Sequence, residues 1–298
     1  MTLCHEEDSI NNIPMKKLFV SVLFSIFSLL MLDAQTAHSL FLRKDSLQVN
    51  EIVSEIGNQF NKVGHHGPAV ENSHMALRIY FNDSGAIDVY SKAAGKMELI
   101  DYKWYPSRAV QQNLGVGNDH YIVGKTVGLG GISLWDGEKE VKLVATKGRT
   151  ARAGSTKKGS YAEMIAYGVE YKGQMVDVSI RIDVDKKHRE AYITATELNG
   201  HKVQFFTGVN FHEGQTLFTG KDYIGVWGVH KGDKAPIPVE IGAGLWFRTK
   251  DFSPVEQVGN MLRIISRPTA FVKTKVVASS TKEKELDTVE KFEKYLLK

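Results

Sequence analysis

The 298-residue sequence predicts an all-β fold, a large antiparallel β-sandwich, over most of its length. Apolar and polar residues alternate with the two-residue period of a strand, first between His74 and Phe81. From Tyr161 onward, strand-like segments recur at intervals of about ten residues, with glycine or charged turns between them. No linker rich in Pro, Ser or Gly interrupts the chain, so residues 35–298 are expected to form a single domain.

The first 34 residues have the features of a secretory signal peptide. Two lysines precede an apolar run at 18–32, which is shorter than the roughly 20 residues of a membrane span. We expect cleavage after Ala34, with Ser39 as the alternative. An acidic stretch ahead of the lysines is unusual in such a segment, so residues 1–14 are interpreted as an over-long start.

The single cysteine, Cys4, lies in this over-long start. The exported chain is therefore expected to have no disulfide and no catalytic thiol, and no cysteine follows the apolar run to carry a lipid anchor. These features predict a soluble protein without a membrane anchor, periplasmic or secreted. The sequence leaves the oligomeric state open.

The net charge of +4 is a mild basic excess. No Lys/Arg block or RNA-binding aromatic motif accompanies it, so nucleic acid is not expected as a partner. A basic exported protein is compatible with acidic saccharides.

Two short helices are predicted to flank the strands. Near-helical spacing of apolar residues predicts an N-terminal helix within 40–62, on Leu47, Ile52, Ile56 and Phe60. A charged amphipathic helix is predicted over 281–298, with one apolar stripe formed by Leu286, Val289, Phe292 and Leu296. The strands predicted between them after Tyr161 are 162–170, 175–184, 191–198, 203–211, 224–229, 241–247 and 261–266.

The pattern of residues 74–90 predicts a hairpin with one apolar face toward the core and one face that carries polar side chains. Met75, Leu77, Ile79 and Phe81 form its core face, while His74, Ala76, Arg78 and Tyr80 form the other face. Ile87–Tyr90 repeats the alternation after a turn at 82–85. The polar face is interpreted either as a functional surface or as a merely solvated one.

The sequence contains no motif typical of a cofactor or metal site. The glycine-rich segment 113–135 does not join a strand to a helix, so no dinucleotide site is predicted. Neither HExxH, CxxC nor GxSxG occurs, and therefore neither a metal, a cofactor nor an α/β-hydrolase fold is expected. The basic segment 148–159 is interpreted as a solvated connection, with a mobile flap as the alternative.

Aromatic and polar residues of the kinds that bind sugars remain. Trp104, Tyr105 and Trp135 are candidate stacking faces, whereas Trp227 and Trp246 lie in apolar strands and are assigned to the core. Further candidates follow strands or lie in the glycine-rich segment, where backbone freedom lets side chains converge on a ligand: His120, Tyr121, Lys125, His212, Glu213 and His230. His188 and His201 lie in charged turns and are expected to be exposed.

Four motifs resemble a large family of exported bacterial proteins of unknown function that is encoded among polysaccharide-utilisation genes. They are Pro68–Asn72 (PAVEN), Ala76–Tyr80 (ALRIY), Ala86–Tyr90 (AIDVY) and Gly128–Trp135 (GLGGISLW). The family usually has a tryptophan before the glutamate and an aspartate shortly after it. This chain has Val70 and Asn72-Ser73-His74 instead.

The resemblance implies a sandwich similar to the galactose-mutarotase superfamily, with the ligand on the concave sheet. Some members resemble oligosaccharide dehydratases of ulvan breakdown, which remove water across C4–C5 of a uronic acid at a non-reducing end. The product is a 4,5-unsaturated uronate. An acidic oligosaccharide is thus the expected partner.

This elimination needs a group that neutralises the carboxylate, a base for the C5 proton and an acid for the departing O4. Arg78 is assigned to the carboxylate, with Lys125 as its backup, because a guanidinium matches a carboxylate bidentately. His66 or His120 is the candidate base and Tyr80 or Tyr90 the acid. Substrate-binding residues are predicted at Glu71, His74, Tyr90, Trp104, Tyr105, Lys125, Trp135 and His212.

Three other functions stay open. A polysaccharide lyase would use the same groups with a sugar as leaving group. A mutarotase-type epimerase needs a histidine and a glutamate flanking an anomeric carbon, and the adjacent His212 and Glu213 are the feature that would favour it. A non-catalytic sugar-binding module needs only aromatics and hydrogen-bond donors, and scattered surface histidines would favour it.

Overall fold

The computed structural model describes residues 36–55, 57–93, 95–102, 106–107, 109–110, 115–231 and 237–298. In chain order, the strands are β1 (Thr36–Ser39), β2 (Glu51–Ser54), β3 (Ala69–Asn72), β4 (Ala76–Ile79), β5 (Ile87–Tyr90), β6 (Ser133–Trp135), β7 (Glu140–Val141), β8 (Arg149–Ser155), β9 (Gly159–Tyr171), β10 (Gln174–Asp185), β11 (Ala191–Glu197), β12 (Phe205–Asn210), β13 (Thr216–Thr219), β14 (Tyr223–Val229), β15 (Glu240–Trp246), β16 (Glu256–Val258), β17 (Met261–Ile265) and β18 (Phe271–Ser280). A 3₁₀ turn, Gly64–His66, precedes β3, and one α-helix, α1 (Val289–Leu296), follows β18.

The described strands form three antiparallel sheets. One has nine strands in the order β13-β14-β15-β18-β11-β10-β9-β8-β2, one has five in the order β16-β17-β12-β6-β7, and one has four in the order β1-β3-β4-β5. The four-stranded sheet packs over β8–β10 of the nine-stranded sheet, and β12 of the five-stranded sheet packs over β14 and β15. Side chains from all three sheets share one apolar core, so the predicted all-β sandwich is confirmed.

The predicted hairpin is formed by β4 and β5. Met75, Leu77, Ile79 and Phe81 are all buried in the shared core, as the alternation requires. The strand register places Arg78 directly opposite Asp88 on the other face of the sheet. Arg78 and Asp88 on that face are covered by the chain, whereas His74 and Tyr80 on the same face are only half-buried.

The C-terminal helix packs against β14 and β15, near the β13 edge of the nine-stranded sheet. Thr288 caps α1 by accepting a hydrogen bond from the amide of Lys291. Phe292 and Leu296 pack against β15, where Gly244 leaves room for the helix because a Cβ there would lie 2.5 Å from Leu296. The amphipathic helix is thus confirmed, but it begins at Val289 and not at residue 281.

Two local predictions are wrong. The described residues within 40–62 form β2 and turns, and Leu47 is 67% exposed instead of lying on an apolar helical stripe. Ile56 lies outside the described residues. The segment 148–159 consists of β8 and the turn into β9, and β8 pairs with β9 along its whole length, so the segment is neither a solvated connection nor a flap.

Residues 35–298 constitute one compact unit. No helix in the described ranges is both long enough and apolar enough to cross a membrane. The signal peptide, its cleavage site and the cellular location remain predictions.

Candidate active site

A buried cluster of charged residues lies on the covered face of the β4–β5 hairpin. Arg78 on β4 pairs with Asp88 on β5, and its Nη2 lies 2.7 Å from Oδ1 of Asp119. The side chains of Arg78 and Asp88 are wholly buried, whereas that of Asp119 is 29% exposed. The cluster therefore reaches solvent on the side of Asp119.

Tyr80 and His66 complete this cluster. The Tyr80 hydroxyl donates a hydrogen bond of 2.7 Å to Oδ2 of Asp88. The His66 ring stands nearly perpendicular to the Tyr80 ring at 6.0 Å and stacks on Phe60 at 3.8 Å. Both Tyr80 and His66 are half-buried. Three of the four predicted catalytic residues thus lie together.

The 3₁₀ turn holds His66 against the hairpin. His65 and His66 both adopt the left-handed conformation, with φ of 54° and 63°. Gly67 follows directly, and a Cβ at this glycine would lie 1.9 Å from the carbonyl oxygen of Ile79, so the turn rests on the backbone of β4. Nδ1 of His66 donates to the carbonyl of Phe60 at 3.1 Å, which leaves Nε2 as the basic nitrogen.

Burial determines the protonation of this cluster. It lowers the pKa of His66 from the ordinary value of 6.5, so the imidazole is uncharged at neutral pH. Burial raises the pKa of Asp88 to about 7, although the charge of Arg78 acts in the opposite direction. Burial also raises the pKa of Tyr80 well above its usual range, so the phenol keeps its proton. Near neutral pH the cluster contains a neutral base, a phenol and a carboxyl group that exchanges its proton.

The residue pattern alone did not single out Asp88 and Asp119. The hairpin register was a usable signal for Asp88, since residue 88 faces Arg78 once the turn is placed at 82–85. No comparable signal exists for Asp119, which lies in an irregular segment 41 residues beyond Arg78.

Glu71 and Tyr90, predicted to bind substrate, belong to a separate buried network. The Glu71 carboxylate accepts hydrogen bonds from the amides of Glu98 and Leu99, each at 2.9 Å, and from the Lys92 ammonium at 2.6 Å. The Tyr90 hydroxyl donates to Glu98 at 3.2 Å. These contacts hold the segment after β5 against the sheet and occupy both oxygens of Glu71.

His120 is buried outside the His66–Tyr80 cluster. Its Nδ1 lies 2.5 Å from the Ser91 hydroxyl and its Nε2 lies 3.2 Å from the carbonyl oxygen of Ile237. Burial lowers the pKa of His120 to about 4. Both ring nitrogens contact the chain itself, so His120 would have to give up one of these contacts to take a proton from a ligand.

His212 and Glu213 do not share a cleft. The Nε2 of His212 donates to the carbonyl of Ile122 at 2.9 Å, and its ring lies 4.5 Å from that of His230. The Glu213 side chain is 85% exposed and pairs with Lys231 at 2.5 Å. The described structure thus does not present these two side chains as a convergent pair.

Lys125 and Trp135 line a different cavity, of about 300 Å³, together with Phe206 and Arg263. The Arg263 guanidinium lies over the Trp135 ring at 4.7 Å. This cavity shares no lining residue with the cluster, so Lys125 is not placed as the backup for Arg78.

The remaining candidates are scattered. His74 is half-buried and lines a cavity of about 10 Å³ beside Lys92. Trp104 and Tyr105 lie outside the described residues. Trp227 packs under α1 against Phe292, in agreement with its assignment to the core. Among the described residues, no group of three or more His, Cys, Asp or Glu side chains is arranged to hold a metal ion.

Residues 32–298 match the family model described as Domain of unknown function (DUF4861). The chain belongs to this family. The match covers the whole of the predicted mature chain and agrees with the expected membership of a family of unknown function. No curated protein sequence matches the chain.

Two solved structures of carbohydrate-active proteins are similar in part. A 4-alpha-glucanotransferase from Thermococcus litoralis has 10% identity and a TM-score of 0.33, over 78% of this chain and 41% of that one. A polysaccharide lyase has 14% identity and a TM-score of 0.25, over 75% of this chain and 34% of that one. The chain spans less than half the length of either protein.

Proposed function

We propose that this protein is an oligosaccharide dehydratase that removes water across C4–C5 of a uronic acid at a non-reducing end, in the breakdown of acidic polysaccharides such as ulvan. One observation supports this proposal. Tyr80 contacts both the His66 ring and the Asp88 carboxyl group, and Asp88 pairs with the buried guanidinium of Arg78. Elimination beside a carboxylate needs a base, an acid and nearby positive charge. This cluster supplies a group of each kind.

His66 is the base in this mechanism. Its Nε2 takes the proton from C5, and the electrons of the C–H bond move into the C4–C5 bond. The bond between C4 and O4 then breaks, and its electron pair leaves with O4. The stack on Phe60 and the hydrogen bond to the Phe60 carbonyl fix the direction of the imidazole before the substrate binds.

Tyr80 is the acid, with Asp88 as its proton reserve. The phenol gives its proton to the departing O4, so that hydroxide leaves as water. A protonated Asp88, 2.7 Å behind the phenol, replaces that proton at once. Exchange with solvent afterwards removes the C5 proton from His66 and returns a proton to Asp88.

Arg78 is a positioning residue in this scheme, since both of its carboxylate partners belong to the chain itself. Proton uptake by Asp88 removes one of the negative charges that balance the guanidinium. Binding of a uronate carboxylate therefore favours protonation of Asp88, and protonation of Asp88 favours binding of the carboxylate. Substrate binding is thus coupled to protonation of the proton reserve.

The dependence of kcat/KM on pH is expected to be bell-shaped. Turnover falls at low pH once His66, whose pKa lies below 6.5, is protonated and cannot act as a base. It also falls above about pH 7, where Asp88 has lost its proton. Asp88→Asn should lower activity and abolish the alkaline limb while the acid limb stays. An alkaline limb retained in D88N would exclude Asp88 as the proton reserve.

The function is tested with purified protein and saturated oligosaccharides that end in a uronic acid. We expect a rise in ultraviolet absorbance from the conjugated enol-ether carboxylate and a product lighter by one water. The same rise with chain shortening would indicate a polysaccharide lyase. No rise over a broad panel of acidic glycans would contradict the elimination and favour an epimerase or a sugar-binding module.

A further inference from the structure

A basic groove is lined by the chain neighbours of Phe60, the residue whose ring stacks on His66. Its volume of about 700 Å³ is within the range of about 300–1,000 Å³ that is usual for small-molecule sites. Arg43, Lys44 and Lys62 line it together with the apolar side chains of Leu42 and Ile52. Apolar surface flanked by donors is the surface that a sugar ring with charged substituents requires.

The groove adjoins His66 through Phe60. Its lining residues Gln59 and Asn61 flank Phe60 in the chain, and the Phe60 ring stacks on His66 at 3.8 Å. The amide of Arg43 donates to the carbonyl of Lys62 at 2.9 Å, which ties the two sides of the groove together. Burial is the main cause of the lowered pKa of His66, the charge of Arg78 adds to it, and the charge of Arg43 makes the smallest contribution.

All charged side chains that line the groove are positive. No acidic side chain is among the residues that line it. Lys44 and Lys62 are exposed, and within the described part of the chain no carboxylate lies within ion-pair distance of either ammonium. By contrast, Lys273 and Lys275 on the outer face of β18 lie over the rings of Tyr192 and Trp246, at 4.2 and 4.3 Å.

We propose that this groove is a subsite for the second sugar of the substrate and binds an acidic group on it, a carboxylate or a sulfate ester. The inference rests on the proposed function, which places the reacting uronate at His66. An oligosaccharide that reacts at its end must extend away from the cluster, and the groove offers a path past Phe60. Positively charged side chains along that path favour acidic oligosaccharides over neutral ones and raise the rate at which they associate.

The test compares two double variants that each remove two positive charges. Lys44→Gln/Lys62→Gln changes the groove. Lys284→Gln/Lys294→Gln is the matched control. Both lysines are exposed; Lys294 lies in α1, which packs against β14 and β15 near the opposite end of the nine-stranded sheet from β2, and Lys284 lies between β18 and α1. Calorimetry, with every protein also carrying His66→Gln so that the ligand is not converted, measures binding of a uronate-terminated oligosaccharide with an acidic second sugar, and of the same oligosaccharide with that acidic group removed.

We expect K44Q/K62Q to weaken binding of the fully acidic ligand by about tenfold, with less than about twofold change in the control variant. For the ligand without the second acidic group, both variants should bind like the wild type. Equal weakening in both variants, or an unchanged affinity in K44Q/K62Q, would overturn the subsite.

The failure of the subsite can be told apart from the failure of the function. If wild-type protein forms the unsaturated product and K44Q/K62Q does so with an unchanged KM, the dehydratase stands and the subsite is wrong. If the binding difference is found but no unsaturated product forms, the groove is an acidic-sugar site and the dehydratase proposal is wrong.

Discussion

His66→Gln is expected to lower kcat by about 10²–10⁴-fold, the range for loss of a positioned general base. Glutamine keeps a polar side chain of similar reach but cannot accept a proton at neutral pH. Tyr80→Phe should fall in the same range, because it removes the hydroxyl that donates to Asp88 and keeps the ring against His66. The measurement is the initial rate of formation of the unsaturated product at saturating substrate.

Two other histidines provide controls for His66. His188 lies in the β10–β11 turn with its side chain 58% exposed, so H188Q should keep wild-type turnover. His120 is buried at a different position, and H120Q tests the alternative base directly. Normal turnover in folded H66Q, or a larger loss of kcat in folded H120Q than in folded H66Q, would show that His66 is not the base.

Arg78→Met is expected to lower the free energy of unfolding by about 3–5 kcal/mol, the range for breaking a buried ion pair from one side. Arg78 and Asp88 are both wholly buried, so the variant either leaves a carboxylate in the interior without its cation or forces that carboxylate to take up a proton. Asp119 adds a second negative charge beside it. Chemical denaturation monitored by circular dichroism gives the free energy of unfolding.

A half-exposed ion pair supplies the matched control for Arg78. Arg181 and Asp183 pair on the outer face of β10 with 31% and 40% of their side chains exposed, so R181M should lower stability by less than about 1 kcal/mol. Adding D88N to R78M should recover part of the loss, because the unpaired buried charge is then gone. A loss in R78M no greater than that in R181M would show that the cluster does not stabilise the fold.

The strands were predictable because their signal is local. The alternation of Met75, Leu77 and Ile79 with polar residues is imposed by the pleat within a few residues. The N-terminal segment failed because β2 is defined by pairing with β8, whose Arg152 bonds Glu51 across 101 residues. Near-helical spacing there is a coincidence that long-range pairing overrides.

The candidate site was predictable only in part, for a similar reason. Arg78 and Tyr80 share a strand face, so period two places them together without knowledge of the fold. Their grouping with Asp119 depends on how an irregular segment crosses the sheet, which no periodicity encodes. His66 and His120 are indistinguishable as residue types, and only the packing of the Phe60 ring separates a candidate base from a structural histidine.

The left-handed turn at His65 and His66 carries backbone strain at the residue that the proposed mechanism uses as its base. A non-glycine residue in a sparsely populated backbone region carries about 1–3 kcal/mol of strain, and here two occur in succession. Rings from elsewhere, Phe41 against His65 and Phe60 against His66, keep the turn in this state. The surrounding packing therefore holds the His66 imidazole in a strained position. If His66 is the base, its preorganisation costs the fold part of its stability at this turn.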